Sequence, residues 1–181
     1  MAHFCPEVRN KVKKGNRRSP VEASLFLVYC ALMGYLLFVR NRSVVDGTSY
    51  WEQVMNNYNL TLFHTIGNYW DVLTRPEYYA EKWGAVSIYL YHARFAAVNI
   101  LGNVAMFVPL GIFLPALWPK LQRAWKALPV ALLTVFLVEI CQLFTLRGRF
   151  DVDDFLLNMI GAACGYALWW LTHLWRHRKN R

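Results

Sequence analysis

Residues Phe95–Pro119 read FAAVNILGNVAMFVPLGIFLPALWP, 25 consecutive positions between Arg94 and Lys120 without a formal charge. A helix needs about 20 predominantly apolar residues to cross the hydrocarbon of a bilayer. A second run, FLLNMIGAACGYALWWLTHLW, fills the 21 positions Phe155–Trp175 between Asp154 and Arg176. Upstream, VEASLFLVYCALMGYLLFV occupies Val21–Val39, and Ala127–Leu146 is interrupted only by Glu139. These runs predict an all-α polytopic membrane protein with four transmembrane helices, at about 21–39, 95–118, 127–146 and 155–175. The composition agrees. The chain is 56% hydrophobic and 17% charged, against about 45–50% and 25% in soluble domains. A soluble enzyme fold is excluded.

The charges are arranged around these spans. Of 20 Lys+Arg against 11 Asp+Glu, six basic residues lie in the tail 1–20. Lys120, Arg123 and Lys126 lie between the second and third spans, and Arg176, Arg178, Lys179 and Arg181 follow the fourth. The intervening ends carry Arg40, Arg42, Arg75, Lys82, Arg94, Arg147 and Arg149 together with eight of the acids. Basic residues concentrate on the cytoplasmic side of membrane proteins. The expected arrangement is a multi-pass plasma-membrane protein with both termini cytoplasmic: basic tails at 1–20 and 176–181, a transmembrane domain at 21–175, and an outer segment at 40–94. Arg40-Asn41-Arg42 follows the first run without a small-x-small cleavage pattern, so that run reads as a helix and not as a signal peptide. Blocks of cations beside apolar spans do not build a basic face for nucleic acid.

The outer segment is rich in aromatic residues. Trp51, Val54, Met55, Tyr58 and Leu62 follow helical spacing and predict one apolar stripe. Two readings stay open for it: an amphipathic helix on or in the outer leaflet, or a small cap packed on the bundle. Ala85–Phe95 extends the second helix outward.

Polar groups inside the spans are costly and face a bundle interior, so their depth is informative. The second helix carries Asn99 and Asn103, at i, i+4, in its first turns. The third carries Glu139 and Gln142 near its end, and the fourth carries Asn158 on the same face as Asp154. At about 1.5 Å rise per residue, all fall in the outer third of the bilayer, which predicts a polar pocket open to the outer face. Above it runs Arg147-Gly148-Arg149-Phe150-Asp151-Val152-Asp153-Asp154. Arg149 suits phosphate or carboxylate. The acids could pair with the arginines, ligate a divalent cation, or cap the fourth helix through Asp153 or Asp154. Glu139 could pair with Arg149 or Arg94, or handle substrate or a proton. Burial would raise its pKa and a guanidinium would lower it. Pro109 within the second helix predicts a kink, and Gly161 and Gly165 predict a close-packing face. Cys5, Cys30, Cys141 and Cys164 have no C-x-x-C spacing and read as small buried hydrophobes. The histidines have no paired ligand spacing, so no metal and no cofactor is expected.

These residues also carry a family pattern. Asn99-Ile100-Leu101-Gly102-Asn103-Val104-Ala105-Met106-Phe107-Val108-Pro109-Leu110-Gly111 resembles the second-helix motif of the VanZ-like family. Glu139-Ile140-Cys141-Gln142, then Arg149 through Asp154, then Asn158 and Gly161, resemble its second block. Asn59-Leu60-Thr61-Leu62-Phe63-His64-Thr65-Ile66 is similar to the family's N-L-x-P-F-x-T-I segment, with Leu62 where proline is common. The resemblance covers roughly residues 25–172. The family's founding member is associated with low-level resistance to the glycopeptide teicoplanin in Gram-positive bacteria, so the resemblance implies a bacterial cell-envelope role and supplies no reaction.

Three functions are compatible with this pattern. In the first, a pocket formed by Asn99, Asn103, Glu139, Gln142, Arg149, Asp151, Asp154 and Asn158 binds a lipid-linked glycan or glycopeptide-type ligand among membrane lipids, and so lowers teicoplanin susceptibility. In the second, the chain is a membrane enzyme acting on a lipid phosphate or glycolipid, with Glu139 or Asp154 as the catalytic acid/base and Arg149 as anion clamp. In the third, the polar layer only locks the helices of a structural assembly factor together.

Overall fold

The computed structural model describes residues 20–39 and 49–179. Most of the 1–20 tail, Cys5 and the Arg40–Arg42 flank lie outside the described residues. Four helices are long and apolar enough to cross a membrane: Pro20–Val39, Val86–Leu117, Ala124–Thr145 and Val152–Arg176. The first is α1, Pro20–Gly34, continued by a π-helical turn at Tyr35–Val39. Between it and the second span lie α2 (Tyr50–Asn56), α3 (His64–Thr74) and α4 (Pro76–Lys82). The remaining spans are α5 (Val86–Leu117), α6 (Ala124–Thr145) and α7 (Val152–Lys179). Two two-residue strands, β1 (Tyr58–Asn59) and β2 (Phe150–Asp151), pair in parallel, Tyr58 opposite Phe150 and Asn59 opposite Asp151.

Helix α5 begins at Val86, as the outward extension of the second span requires. At about 1.5 Å per residue, its 32 residues run to about 48 Å, well beyond a hydrocarbon thickness of about 30 Å. Pro109 and Pro115 sit within it without ending it. Its main partner is α7, and the approach is set by missing side chains. A Cβ at Gly161 would run into the Val104 carbonyl, one at Gly165 into the Val108 carbonyl, and one at Gly111 into the Ala162 carbonyl. Phe107, Leu110, Leu114, Ala131, Val135 and Ala162 form the core with Met33 and Leu37 of the first span. Helix α1 docks on α5 through Phe26, whose ring meets Phe113 at 5.6 Å and Trp118 at 5.5 Å. The Tyr29 hydroxyl adds a bond, donating to the Met106 carbonyl at 3.0 Å.

The outward faces are apolar. Leu27, Val28, Leu101, Leu133 and Leu137 are all more than half exposed, which is where a membrane-embedded bundle meets lipid tails. Cys30, Cys141 and Cys164 are free and exposed on these faces, not buried as expected, because each falls on the side of its helix away from the core.

Residues 49–85 pack as a cap on one end of the bundle. The predicted stripe through Leu62 does not form as one helix. Val54 is buried at 6%, whereas Trp51 (63%) and Met55 (66%) point away. Helix α2 ends at Asn56 because the following residues are tied to the α6–α7 connection. The Asn57 carboxamide donates to the Gly148 carbonyl at 2.6 Å, and the Phe150 amide donates to the Asn57 carbonyl at 3.0 Å. The Tyr50 hydroxyl adds a bond to the Phe144 carbonyl at 2.7 Å.

Candidate functional site

At the cap end of the bundle, α5, α6 and α7 enclose a cavity of about 780 Å³. All eight residues singled out from the sequence line it: Asn99, Asn103, Glu139, Gln142, Arg149, Asp151, Asp154 and Asn158. They meet because the turns nearest the cap of three different helices face inward at the same level. Two side-chain hydrogen bonds link α5, α6 and α7 to one another here. Asn103 Nδ2 donates to Asp154 Oδ1 at 2.6 Å, and Asn158 Nδ2 donates to Glu139 Oε1 at 2.9 Å.

Glu139 is 2% exposed and Asn158 4% exposed. Neither Arg149 nor Arg94 pairs with Glu139 among the described residues; its partner is the neutral carboxamide of Asn158. Glu139 Oε2 and Asn158 Oδ1 are buried without a hydrogen-bond partner among the described residues. The Asp151 backbone N–H faces the Glu139 carboxyl but makes no bond of good geometry to Oε2. Gln142 is buried at 8% and its carboxamide lines the cavity. Asn99 turns back along its own helix, donating to the Phe95 carbonyl at 2.7 Å.

The acids of the connecting loop divide differently from the expectation that Asp153 or Asp154 caps the fourth span. Helix α7 starts at Val152, and Asp151 is its cap: Oδ1 accepts from the Asp153 amide at 2.9 Å. Asp151 Oδ2 accepts from Thr65 Oγ1 at 2.7 Å and from Asn59 Nδ2 at 3.1 Å. Asp153, with no exposed surface, reaches across to the start of α3. It accepts backbone N–H groups from Phe63 at 2.6 Å, Thr65 at 2.8 Å and Ile66 at 3.0 Å. Orphan amides and a positive dipole end make a helix start a natural seat for a carboxylate, but here the seat belongs to a helix about 90 residues away in sequence. Of the three, Asp151 and Asp154 line the cavity and Asp153 does not, and Asp154 is the one bonded across to α5, through Asn103.

Sequence reasoning missed the contributions of the cap. Thr65 and Tyr69 of α3 line the cavity, as does Arg94 of α5, for which the sequence suggests only a pairing with Glu139. Tyr69 packs edge-on against Phe95 at 6.2 Å. Burial, followed by the nearby Asp154 and Asp151 carboxylates, pushes the Tyr69 phenol above its ordinary pKa. The signal that could have found Thr65 was its place, with Asn59, in the family-like segment 59–66. Arg149 sits at the rim, where one guanidinium nitrogen donates to the Tyr58 carbonyl at 3.3 Å. No cluster of three or more His, Cys, Asp or Glu among the described residues is arranged to hold a metal ion.

Four apolar helices closing around a polar cleft define a polytopic, membrane-embedded helical bundle. The VanZ/LLP1 family model matches residues 26–174, and the chain belongs to that family. Comparison with curated proteins and with solved structures gave no match.

Proposed function

We propose that this chain holds the polar headgroup of a membrane amphiphile in the cavity formed by α5, α6, α7 and the cap. The observation that carries the reading is the chemical gradient of the lining. Carboxamides and carboxyls (Asn103, Glu139, Gln142, Asp154, Asn158) form the floor, Arg94 and Arg149 stand at the exposed edge, and Leu36, Phe95 and Val98 supply an apolar flank. Such a gradient matches a headgroup joined to an acyl chain, as in a lipid-linked glycan or a lipoglycopeptide. A few convergent polar groups on an otherwise apolar wall are the usual make-up of a ligand site. On the positive-inside argument the cap and the cavity mouth face the outside of the plasma membrane, with both basic tails cytoplasmic. Lowered teicoplanin susceptibility is then one consequence of occupying or masking a surface amphiphile.

The test is photo-crosslinking with a lipid that carries a diazirine in its first acyl carbons. Labelled peptides should cover 91–106 and 142–158. Labelling confined to the outward face of α6, around Leu132–Leu137, would show that lipid only bathes the bundle and would sink the reading.

A second reading, a membrane enzyme acting on a lipid phosphate or glycolipid, draws on one feature. Two carboxyls, Glu139 and Asp154, face the same cavity, each held by an asparagine, which is an arrangement suited to proton transfer. It requires that purified protein turn over such a substrate and that Glu139→Gln abolish turnover.

A further inference from the structure

The floor of the cavity mixes carboxamides with carboxyls, but its unpartnered buried atoms are both hydrogen-bond acceptors. Glu139 Oε2 and Asn158 Oδ1 have no partner among the described residues, and both side chains are more than nine-tenths buried. The Asp154 carboxyl lines the same floor, with Oδ1 engaged by Asn103. What complements such a surface is a donor, and a positively charged donor best, because two carboxyls converge there. The rim has the opposite character. Arg94 has no hydrogen bond or ion pair among the described residues, and Arg149 has a single long bond to a backbone carbonyl. Both guanidiniums line the cavity from exposed positions, with donors free for a planar or tetrahedral oxyanion.

Resting on the amphiphile reading, we propose that the headgroup is zwitterionic: a primary ammonium at the Glu139–Asn158–Asp154 floor and a phosphate or carboxylate at the Arg94–Arg149 rim. A primary ammonium offers three N–H donors and no acceptor, which answers the unpartnered oxygens without adding a lone pair. A quaternary ammonium has the same charge and no donor. A hydroxyl-bearing anionic headgroup has donors but leaves the two carboxyls unneutralised. The apolar flank of Leu36, Phe95 and Val98 leads from the rim toward the lipid-facing surface, where acyl chains would run.

The experiment uses the full chain, delipidated in detergent and offered equimolar dioleoyl lipids, with retained lipid read by native mass spectrometry. The lipids are phosphatidylethanolamine, its mono- and dimethyl forms, phosphatidylcholine and phosphatidylglycerol. Retention should fall stepwise as the N–H count drops from three to none, with phosphatidylethanolamine at least tenfold above both phosphatidylcholine and phosphatidylglycerol. Glu139→Gln and Arg149→Ala should each bring that preference toward unity. The methylation series needs no variant, so the proposal stays testable if Glu139→Gln misfolds. Equal retention across the series, or a preference for phosphatidylglycerol, overturns the zwitterion while leaving the amphiphile reading intact. Retention of no lipid at all overturns both.

Discussion

Replacing Asp153 with alanine should release the first turn of α3 from the bundle. The carboxylate accepts three backbone N–H bonds of 2.6, 2.8 and 3.0 Å from a site with no exposed surface. Hydrogen bonds to a charged group contribute about 1.5–3 kcal/mol each, and a buried donor left unpaired costs about 1–3 kcal/mol. These figures overlap and water would enter the vacated site, so the sum is not additive. Loss of a helix cap alone costs about 0.5–2 kcal/mol, and losing the charge at the dipole adds about 0.3–1 kcal/mol. A local destabilisation of about 3 kcal/mol follows for Asp153→Ala. Asp153→Asn, which keeps one oxygen but sets an NH₂ group against backbone N–H donors, should cost somewhat less. Hydrogen exchange reads the effect directly, since every 1.4 kcal/mol is a tenfold change in an opening equilibrium. The amides of Phe63, Thr65 and Ile66 should exchange about a hundredfold faster, while α6 amides around Val135 keep their protection. Exchange at those three amides within threefold of the parent protein would refute the role given to this carboxylate.

Four further perturbations probe other parts of the architecture. Gly161→Leu forces a side chain into the Val104 carbonyl and should lower the thermal midpoint in detergent sharply, because overpacking typically costs about 1–3 kcal/mol. Gly102→Ala, which meets nothing within 4 Å, should leave the midpoint unchanged or raise it by helix propensity. Leu146 ends α6 at φ 54°, where its amide and that of Arg147 close on Leu143 and Gln142. Leu146→Gly should therefore stabilise by about 1 kcal/mol, seen as a higher midpoint. The Tyr79 phenol, which donates to Asp71 at 2.7 Å, is held above its ordinary pKa, chiefly by that hydrogen bond, and Tyr69 by burial and then the Asp154 and Asp151 carboxylates. A raised folded-state value means that the stabilisation is complete below the unfolded tyrosine pKa of about 10 and is lost as pH rises through the folded value. Alkaline loosening of the cap, followed by protease sensitivity above pH 10, should be weaker in Tyr79→Phe.

The spans were legible because crossing a bilayer demands a long apolar run and leaves little else for such a run to be. The cavity was legible for a related reason. Hydrophilic side chains within a span are expensive, so Asn103, Glu139 and Asn158, placed by rise per residue, had one common depth at which to meet. The cap was not legible in the same way. Its two strands are two residues each and exist through pairing between positions about 92 apart, which no local propensity announces. The spacing of Trp51, Val54, Met55, Tyr58 and Leu62 is helical, yet the bonds of Asn57 to Gly148 and Phe150 end α2 before the stripe is complete. Asp153 misled for a subtler reason. A carboxylate beside a helix start is ordinarily read as capping that helix, and only tertiary structure brings the start of α3 within its reach.

The two kinds of acid in this site give opposed experimental signatures, and that contrast separates a binding site from a purely structural polar layer. Asp151 and Asp153 have both oxygens engaged by donors from the cap, from α3 and from the turn that begins α7. Removing either should cost stability and alter lipid retention only in proportion to unfolding. Glu139 and Asp154 each give one oxygen to an asparagine, and both residues line the cavity. Their neutral isosteres, Glu139→Gln and Asp154→Asn, should fold with little loss, because inter-helix hydrogen bonds in membranes average only about 0.6 kcal/mol. If the layer merely locked helices together, all four substitutions would fall on one line relating stability to retained lipid. A binding site requires that Glu139→Gln and Asp154→Asn drop well below that line, losing ligand at near-parental stability. Placement of all four on the line would remove the case for a ligand and leave the polar layer a structural one.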